Sequence, residues 1–565
     1  MKASVRTMLA TACAMLTVPA AADDLQGVVR GADGRPIPGA RVVVDDLMRG
    51  TTTGRDGIYR IPALPAGDYA VSASGFGVAS DRRRAVVPPH GPATLDFVLG
   101  PNLALQRAAA ANGEPKVEHQ RQRDAYLASI RPVQGRPPNV LLILFDDLGA
   151  GDLSSYGNRL IKTPNIDAVA QRGVRLDSFY SSSPVCTPSR AAIMTGRLPT
   201  RSLAANHVFF PTGHPMVTVR HAAGWANALP ADEILLPEIL SRAGYATGAF
   251  GKWHLGDTPG HRPTERGFKD YFGILYSNDM DPATLWRGTT VDTPGAKADQ
   301  ATFTERFTDE AIGFIRANAT RPFFAYVAYT APHVPHVPNP KHKGVSEGGT
   351  YGDVVEDLDT NVGRLLRTLD ELKIADNTIV IVTSDNGGDF GGSVGDLRGR
   401  KGETFEGGQR VPAFVVWPGV TRPGTRTSQM AMNIDFFPSL LANLHIPLPA
   451  DRTIDGADFR GLLGGANSPH DYLYYVTTFS GEYQAVRDRE GYKYRELLAN
   501  ASPFAPTGEA QPNRAPTGSL YDLNRDDESH DLTARHPSEA SRLKAALESL
   551  RAQAAANPRG WVAGR

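Results

Sequence analysis

From Pro138 onward the chain alternates unbroken apolar runs with amphipathic stretches. Val140 to Phe145 is an apolar run of strand length, which predicts a strand buried on both faces. Tyr245 to Phe250, Phe323 to Tyr329 and the β-branched run Thr378 to Thr383 read the same way. Helical spacing fills the intervals. Thr163-Pro164 opens a helix with Ile166, Val169 and Ala170 on one face, and Gly173 ends it. Leu236-Pro237 opens another, which Gly244 ends. Val354, Val355, Leu358, Val362, Leu365, Leu366 and Leu369 mark one long amphipathic helix. Strands alternating with helices predict an α/β domain with a mainly parallel sheet over residues 136–445. Beyond it, residues 446–565 carry shorter elements and Tyr-rich strands, a smaller C-terminal α+β subdomain.

The first hundred residues follow another rule. Short β-branched runs (Val28-Val29, Val42-Val43-Val44, Tyr69-Ala70-Val71, Phe97-Val98-Leu99) are separated by turn signals at Asp33-Gly34, Pro38-Gly39, Asp56-Gly57 and Ala66-Gly67-Asp68. Residues 24–100 are therefore expected to form a small β domain, a β-sandwich by the resemblance that follows. Gly27-Val28-Val29 through Pro38-Gly39-Ala40, then Thr53 to Tyr59, resembles the carboxypeptidase regulatory-like domains. The segment carries no catalytic constellation, so it reads as a spacer or binding module. Arg82-Arg83-Arg84 within it reads as a solvated turn. Residues 101–135, Ala-rich and charged, read as a linker. Ahead of the sandwich, Lys2 and Arg6 precede the apolar stretch Met8 to Val18, and Ala20-Ala21-Ala22 precedes Asp23-Asp24. This is the pattern of a signal peptide over residues 1–22, too short to span a bilayer, and predicts a secreted or periplasmic protein.

Composition narrows the field. Lys+Arg 60 against Asp+Glu 60 gives a formal net charge of +0, which offers no electrostatic reason to expect nucleic acid or an anionic membrane as partner. The chain has only two cysteines, Cys13 and Cys186. With Cys13 inside the expected signal peptide, the mature protein keeps one cysteine in an oxidising compartment. Such a residue is either buried and inert or has chemistry of its own.

Reactive groups cluster just past the predicted strands. Asp146-Asp147, Lys252 and His254, His333, and Asp385-Asn386 each follow an apolar run. In open α/β sheets ligands bind at the carboxyl ends of the strands, so these groups point to one shared site. Three carboxylates and an amide form an oxygen-rich set suited to Ca²⁺ or Mg²⁺. Crowded together without a cation, the carboxylates would repel. Lys252, His254, His333, Arg190 and Lys401 bring positive or protonatable groups, which suit an anionic tetrahedral substrate.

The segment Cys186-Thr187-Pro188-Ser189-Arg190 through Thr195-Gly196-Arg197 resembles the motif of type I sulfatases, in which the cysteine is oxidised to formylglycine. The resemblance extends over roughly residues 138–530. Asn139 to Gly149 looks like the first metal-binding strand, and Gly251-Lys252-Trp253-His254 like the Lys-and-His motif. Tyr276-Ser277-Asn278-Asp279 is similar to the arylsulfatase A-like branch, where the serine meets the sulfate. Ala331-Pro332-His333, Ser384 to Gly388, Lys401 to Gly408, and Leu520-Tyr521-Asp522-Leu523 match further motifs.

The resemblance implies an alkaline-phosphatase-like fold and a sulfuric ester hydrolase acting on aryl or carbohydrate sulfates. It implies Ca²⁺, or Mg²⁺, held by Asp146, Asp147, Asp385, Asn386 and the formylglycine oxygen made from Cys186 by a formylglycine-generating enzyme. The hydrated aldehyde attacks sulfur in line. Arg190 and His254 orient it, Lys252, Lys401, His333 and Ser277 meet the substrate, and Lys401 or His333 assists departure of the alcohol. His254 then takes the proton that lets sulfate leave. Phosphonate monoester hydrolases and phosphodiesterases on the same scaffold, and a non-catalytic binding protein, are the rival readings. His336 reads as a surface-loop residue. Ser202 to Asp232, with His207, His214 and His221, is expected to wall the substrate pocket, because loops at strand ends commonly carry specificity.

Overall fold

The computed structural model describes residues 23–37, 40–47, 49–74, 81–100, 117–222, 225–280, 283–478, 481–496, 518–525 and 528–562. The expected signal peptide, the Pro38-Gly39 turn and residues 101–116 of the linker lie outside the described residues. The chain forms two units, one within the first hundred residues and one beyond them.

The first unit consists of two four-stranded sheets. Asp23–Gly31 pairs with Ile58–Leu64, Ala93–Thr94 and Phe97–Leu99. The second sheet runs Arg49–Thr52, Arg41–Val44, Gly67–Ser74, Asp81–Val87. Leu25, Val29, Val42, Val44, Ile61, Val71 and Phe97 are buried. Arg82-Arg83-Arg84 is not a turn: it lies inside the strand Asp81–Val87, paired with Ala70, Val71 and Ser72. This is an edge strand, and its arginines stay exposed beside Asp45, Asp81 and Asp68. Charge on an edge strand deters pairing with another chain, so it does not argue against strand structure there.

The second unit is built on a ten-stranded mixed sheet. Its centre is parallel: β1 (Asn139–Phe145) lies between β4 (Phe323–Ala328) and β5 (Thr378–Ser384), with β2 (Ala246–Lys252) and β3 (Asp270–Ile274) beyond β4. Antiparallel pairings extend the sheet on both sides, and one edge ends in the strand Thr425–Thr427, which runs parallel to its neighbour Val174–Leu176. Every residue of β1 is buried, as its unbroken apolar run requires. Leu141 and Ile143 face one core layer, Leu142 and Leu144 the other.

Helices cover both faces. α1 (Pro164–Arg172) and α4 (Gly349–Glu371) pack together, and α3 (Phe303–Ala317) packs on α4. α2 (Cys186–Thr195) is buried along its whole length. The linker region contributes a helix, Val117–Ser129, stabilised against the unit through Leu127. The C-terminal part is a four-stranded antiparallel sheet (Tyr472–Val476, Tyr483–Asp488, Tyr492–Glu496, Gly518–Asp522). The helix Pro537–Ala556 covers it with Ala540, Leu543, Leu547 and Leu550.

Candidate active site

The carboxyl ends of β1, β2, β4 and β5 meet the N-terminus of α2. Asp146 and Asp147 follow β1, and Asp147 takes a left-handed backbone (φ 66) that turns its neighbour's carboxylate and its own into the same space. The Asp385 N–H donates to the Phe145 carbonyl (3.1 Å), so β5 delivers its carboxylate beside β1. Asp147 N–H donates to Asp385 Oδ1 (3.3 Å). Gly251 (φ 113) permits β2 to lie close against β4: a Cβ there would sit 1.9 Å from the Ala328 carbonyl oxygen. That close fit sets the position of Lys252.

Cys186 is the first residue of α2, with Pro188 in the first turn, where its missing N–H costs no helical bond. Gly196 ends the helix with φ 69, and a Cβ there would meet Phe437 at 2.8 Å. The Cys186 thiol is buried and donates to Asp146 Oδ1 at 3.3 Å. Burial, and then the Asp146 charge, push its pKa well above the ordinary value, so a free thiolate is disfavoured. Asn433 Nδ2 donates to Ser189 Oγ (2.8 Å).

The predicted cations converge on the carboxylates. Lys252 Nζ lies 2.5 Å from Asp146 Oδ2 and 3.0 Å from Ser277 Oγ. Lys401 Nζ lies 2.6 Å from Asp147 Oδ2. Arg190 spans the site, with Nε 2.9 Å from Asp385 Oδ2 and Nη1 donating to the Lys252 carbonyl (3.0 Å). His333 Nε2 lies 3.5 Å from Asp147 Oδ2, and its Nδ1 donates to the Val334 carbonyl (2.7 Å). Burial opposes the Asp146 charge, but Lys252, His333, Arg190 and Lys401 outweigh it and hold that carboxyl well below the usual range. Asp385 goes the other way: burial and the neighbouring Asp146 raise it to about 6. Three cations thus balance three carboxylates, and a divalent metal would leave the site positive for an anionic ester.

The residues fit such a metal. Asp146, Asp147, Cys186 and His333 each present a ligand atom within 4.8 Å of one another. Asn386 donates from Nδ2 to Asp147 Oδ1 (2.8 Å), while its Oδ1 is buried without a hydrogen-bond donor. A cation among these oxygens would satisfy that carbonyl.

His254, also in the left-handed region (φ 61), is fixed from outside the predicted motifs. Its Nε2 lies 3.0 Å from the Phe209 carbonyl. A carbonyl only accepts, so Nε2 carries the hydrogen, and Nδ1 is the lone-pair nitrogen in the neutral ring. Burial, then the charges of Lys252 and Arg190, lower its pKa well below the usual value. Thr187 Oγ1 donates to the His254 carbonyl (3.0 Å) and accepts from Phe209 N–H (3.1 Å). Sequence reasoning missed Phe209 and Thr187 as positioning residues, since a backbone carbonyl leaves no signature in side-chain type. His207 lies near enough to feel the charge of Lys401, whereas His221 is exposed. His336 is half-buried against Tyr351 rather than free on the surface.

Residues 138–446 match the sulfatase family, and residues 24–100 match the carboxypeptidase regulatory-like domain. N-acetylgalactosamine-6-sulfatase of Canis lupus familiaris is 37% identical over 378 residues, covering 62% of this chain and 72% of the relative. Steryl-sulfatase of Rattus norvegicus is 35% identical, covering 62% and 74%. A solved structure from work on the metabolism of multiple glycosaminoglycans by Bacteroides thetaiotaomicron has 28% identity and a TM-score of 0.64, covering 74% of this chain and 100% of its own. The chain belongs to the sulfatase family and is a hydrolase of sulfate esters.

Proposed function

We propose that this enzyme cleaves the sulfate monoester of a carbohydrate, using a formylglycine made from Cys186 beside Ca²⁺ or Mg²⁺. The observation that carries the reading is the meeting of a buried helix-N-terminal cysteine with the buried Asp146, Asp147 and His333, next to buried Asp385 and the unsatisfied Asn386 Oδ1. The relatives named for N-acetylgalactosamine-6-sulfate and glycosaminoglycan chemistry favour a sugar over a simple aryl ester.

Asp146, Asp147, Asp385 and Asn386 would hold the cation. Formylglycine and metal together would supply a hydrated aldehyde oxygen, made acidic and aimed at sulfur. The chain's own groups do the rest. Lys252, Lys401 and Ser277 give donors to the sulfate oxygens. Arg190, fixed by Asp385 and the Lys252 carbonyl, holds the first turn of α2 in register with the carboxylates. His333 or Lys401 supplies a proton to the departing alcohol oxygen. His254 Nδ1, kept unprotonated by its surroundings, accepts the proton whose loss releases sulfate.

Further parts of the reading concern processing. Residues 1–22 act as a cleaved signal peptide, the mature enzyme is exported, and a formylglycine-generating enzyme modifies Cys186. Among the described residues no helix is long and apolar enough to cross a membrane. Residues 24–100 serve as a spacer or binding module, 136–445 as the catalytic domain and 446–565 as its C-terminal subdomain. The test compares hydrolysis of N-acetylgalactosamine 6-sulfate, 4-nitrophenyl sulfate and bis(4-nitrophenyl) phosphate by the wild type and Cys186→Ala. Cys186-dependent turnover of the sulfates, with the sugar preferred, supports the reading. Preference for the phosphodiester would overturn it.

A further inference from the structure

The segment that carries Lys401 has no regular structure of its own. Residues 385–405 contain neither helix nor strand, yet the Lys401 ammonium is delivered to within 2.6 Å of Asp147 Oδ2. Two backbone bonds tie the segment beside the site: Lys401 N–H donates to the Gly388 carbonyl (3.1 Å) and Gly402 N–H to the Pro184 carbonyl (2.8 Å). Further ties lead away, into the C-terminal part. Thr478 Oγ1 donates to the Gly402 carbonyl (3.0 Å), and Arg495 Nε donates to Thr404 Oγ1 (2.9 Å). Thr404 Oγ1 in turn donates to Gln484 Oε1 (2.5 Å). The Arg495 guanidinium carbon lies 3.9 Å from the centre of the Phe405 ring.

At Glu406 this linkage becomes ionic. Glu406 opens the short helix Glu406–Gln409 and is buried together with Lys493 and Glu528. Lys493 Nζ, on the strand Tyr492–Glu496, lies 3.0 Å from Glu406 Oε1 and 2.8 Å from Glu528 Oε1. Tyr180 Oη donates to Glu406 Oε2 (2.6 Å) and Tyr475 Oη to Glu406 Oε1 (2.9 Å). Glu528 stands in a left-handed backbone (φ 66), and its Oε2 accepts the Glu406 N–H (2.6 Å). Its carbonyl accepts from Arg398 Nη1 (2.5 Å). Gly407 N–H closes the loop on the Arg398 carbonyl (2.7 Å). Glu528 thus holds both ends of the segment that carries Lys401, from a position more than a hundred residues further along the chain.

Stability is a poor account of this cluster. Taking charges out of water offsets most of what they gain by attraction, so a buried ion group adds little to folding compared with apolar packing. What it does supply is a fixed geometry. Lys401 has to meet a sulfate oxygen, and a shift of about 1 Å in a positioned group costs on the order of 10²-fold in rate.

We propose that Glu528 is a positioning residue for the reaction: through Glu406 and Arg398 it clamps residues 398–406 so that Lys401 stands ready for the sulfate. The proposal rests on the sulfatase reading of the site, in which Lys401 meets sulfate oxygens. The test uses full-length, formylglycine-bearing enzyme and whichever of N-acetylgalactosamine 6-sulfate and 4-nitrophenyl sulfate the wild type turns over faster, with inorganic sulfate as inhibitor. Glu528→Ala should raise KM and the inhibition constant for sulfate by about tenfold or more. The Ca²⁺ concentration for half-recovery after EDTA should stay within about twofold, since Asp146, Asp147, Asp385 and Asn386 lie outside the clamped segment. Glu528→Gln keeps an oxygen for the Glu406 N–H and should restore most of the loss. In a Lys401→Ala background, adding E528A should cost less than about twofold in kcat/KM, because the residue it acts through is already gone. Should E528A fail to fold, Glu528→Asp, one methylene short of the Glu406 N–H, takes its place in the same cycle. Wild-type KM and sulfate inhibition in the variant overturn the clamp, and so does an undiminished loss in the K401A background, which would mark a general effect on the fold. A wild type that cleaves no sulfate ester would instead overturn the underlying reading.

Discussion

The Nε2 of His254 lies 3.0 Å from the carbonyl oxygen of Phe209, a residue 45 positions earlier in the chain. This bond chooses the tautomer and leaves Nδ1 as the nitrogen that accepts the proton in the proposed reaction. His254→Asn should therefore lower kcat by roughly 10²–10⁴-fold, the usual range for a lost general base. Inhibition by inorganic sulfate should change little. Steady-state kinetics with a sulfate product-inhibition series checks this. A variant with near-normal kcat would remove His254 from the reaction.

The crowded carboxylates predict a response to chelation. EDTA treatment should abolish turnover and lower Tm, because a cation held by Asp146, Asp147, Asp385 and Asn386 in the folded state alone stabilises that state. Adding Ca²⁺ or Mg²⁺ should restore both. Asn386→Ala, which removes the buried unsatisfied oxygen, should raise the metal concentration needed for half-recovery by about 10-fold or more, since ligand loss weakens metal sites strongly. Differential scanning fluorimetry read against metal concentration reports this without relying on activity. Full activity in metal-stripped protein would contradict it.

Asp152 carries a pH signature. It is buried, and accepts bonds from Gly149 N–H (2.8 Å), Ser393 N–H (2.7 Å) and Tyr351 Oη (2.7 Å). Burial outweighs those bonds and raises its carboxyl to about 7. The folded state therefore holds a proton that the unfolded chain releases near pH 4. Stability from this group is present below that point and is lost as pH rises toward 7. Between pH 5 and 8 the stability advantage of wild type over Asp152→Asn should shrink by about 3 kcal/mol. Urea unfolding of both proteins at the two pH values measures it. A gap that widens with pH would reverse the assignment.

Gly196 closes the helix that begins at Cys186. Gly196→Ala combines a left-handed φ of 69 with a contact to Phe437 at 2.8 Å. The variant should lose about 2–4 kcal/mol, from backbone strain plus overpacking. A fall in the urea midpoint with unchanged slope is the expected result, and wild-type stability would show that Phe437 yields freely.

The sequence announced the parts of this protein that depend on side-chain type and spacing. The apolar runs ending in Asp146-Asp147, Lys252, His333 and Asp385-Asn386 are the parallel strands whose ends converge. What stayed hidden is what depends on backbone groups and on distant partners. The Phe209 carbonyl is one case. Another is the buried network in which Arg197 meets Glu233 at 3.0 Å while Arg559 meets Asp232 at 2.6 Å and Glu233 at 2.9 Å. Trp561 lies against Arg197, Arg452 and Arg559, which ties the far end of the chain to the helix that carries Cys186. Nothing in local pattern pairs residues so far apart. Arg82-Arg83-Arg84 was misread because charge suggests a turn, whereas an edge strand tolerates it.

The central claim is that Cys186 is the precursor of the nucleophile. Peptide mass spectrometry across residues 175–197, on protein from its native host that is turning over a sulfate ester, tests it most directly. A peptide lighter than the cysteine form by the exchange of the thiol and one hydrogen for an aldehyde oxygen is expected. An intact Cys186 thiol in fully active enzyme would contradict it.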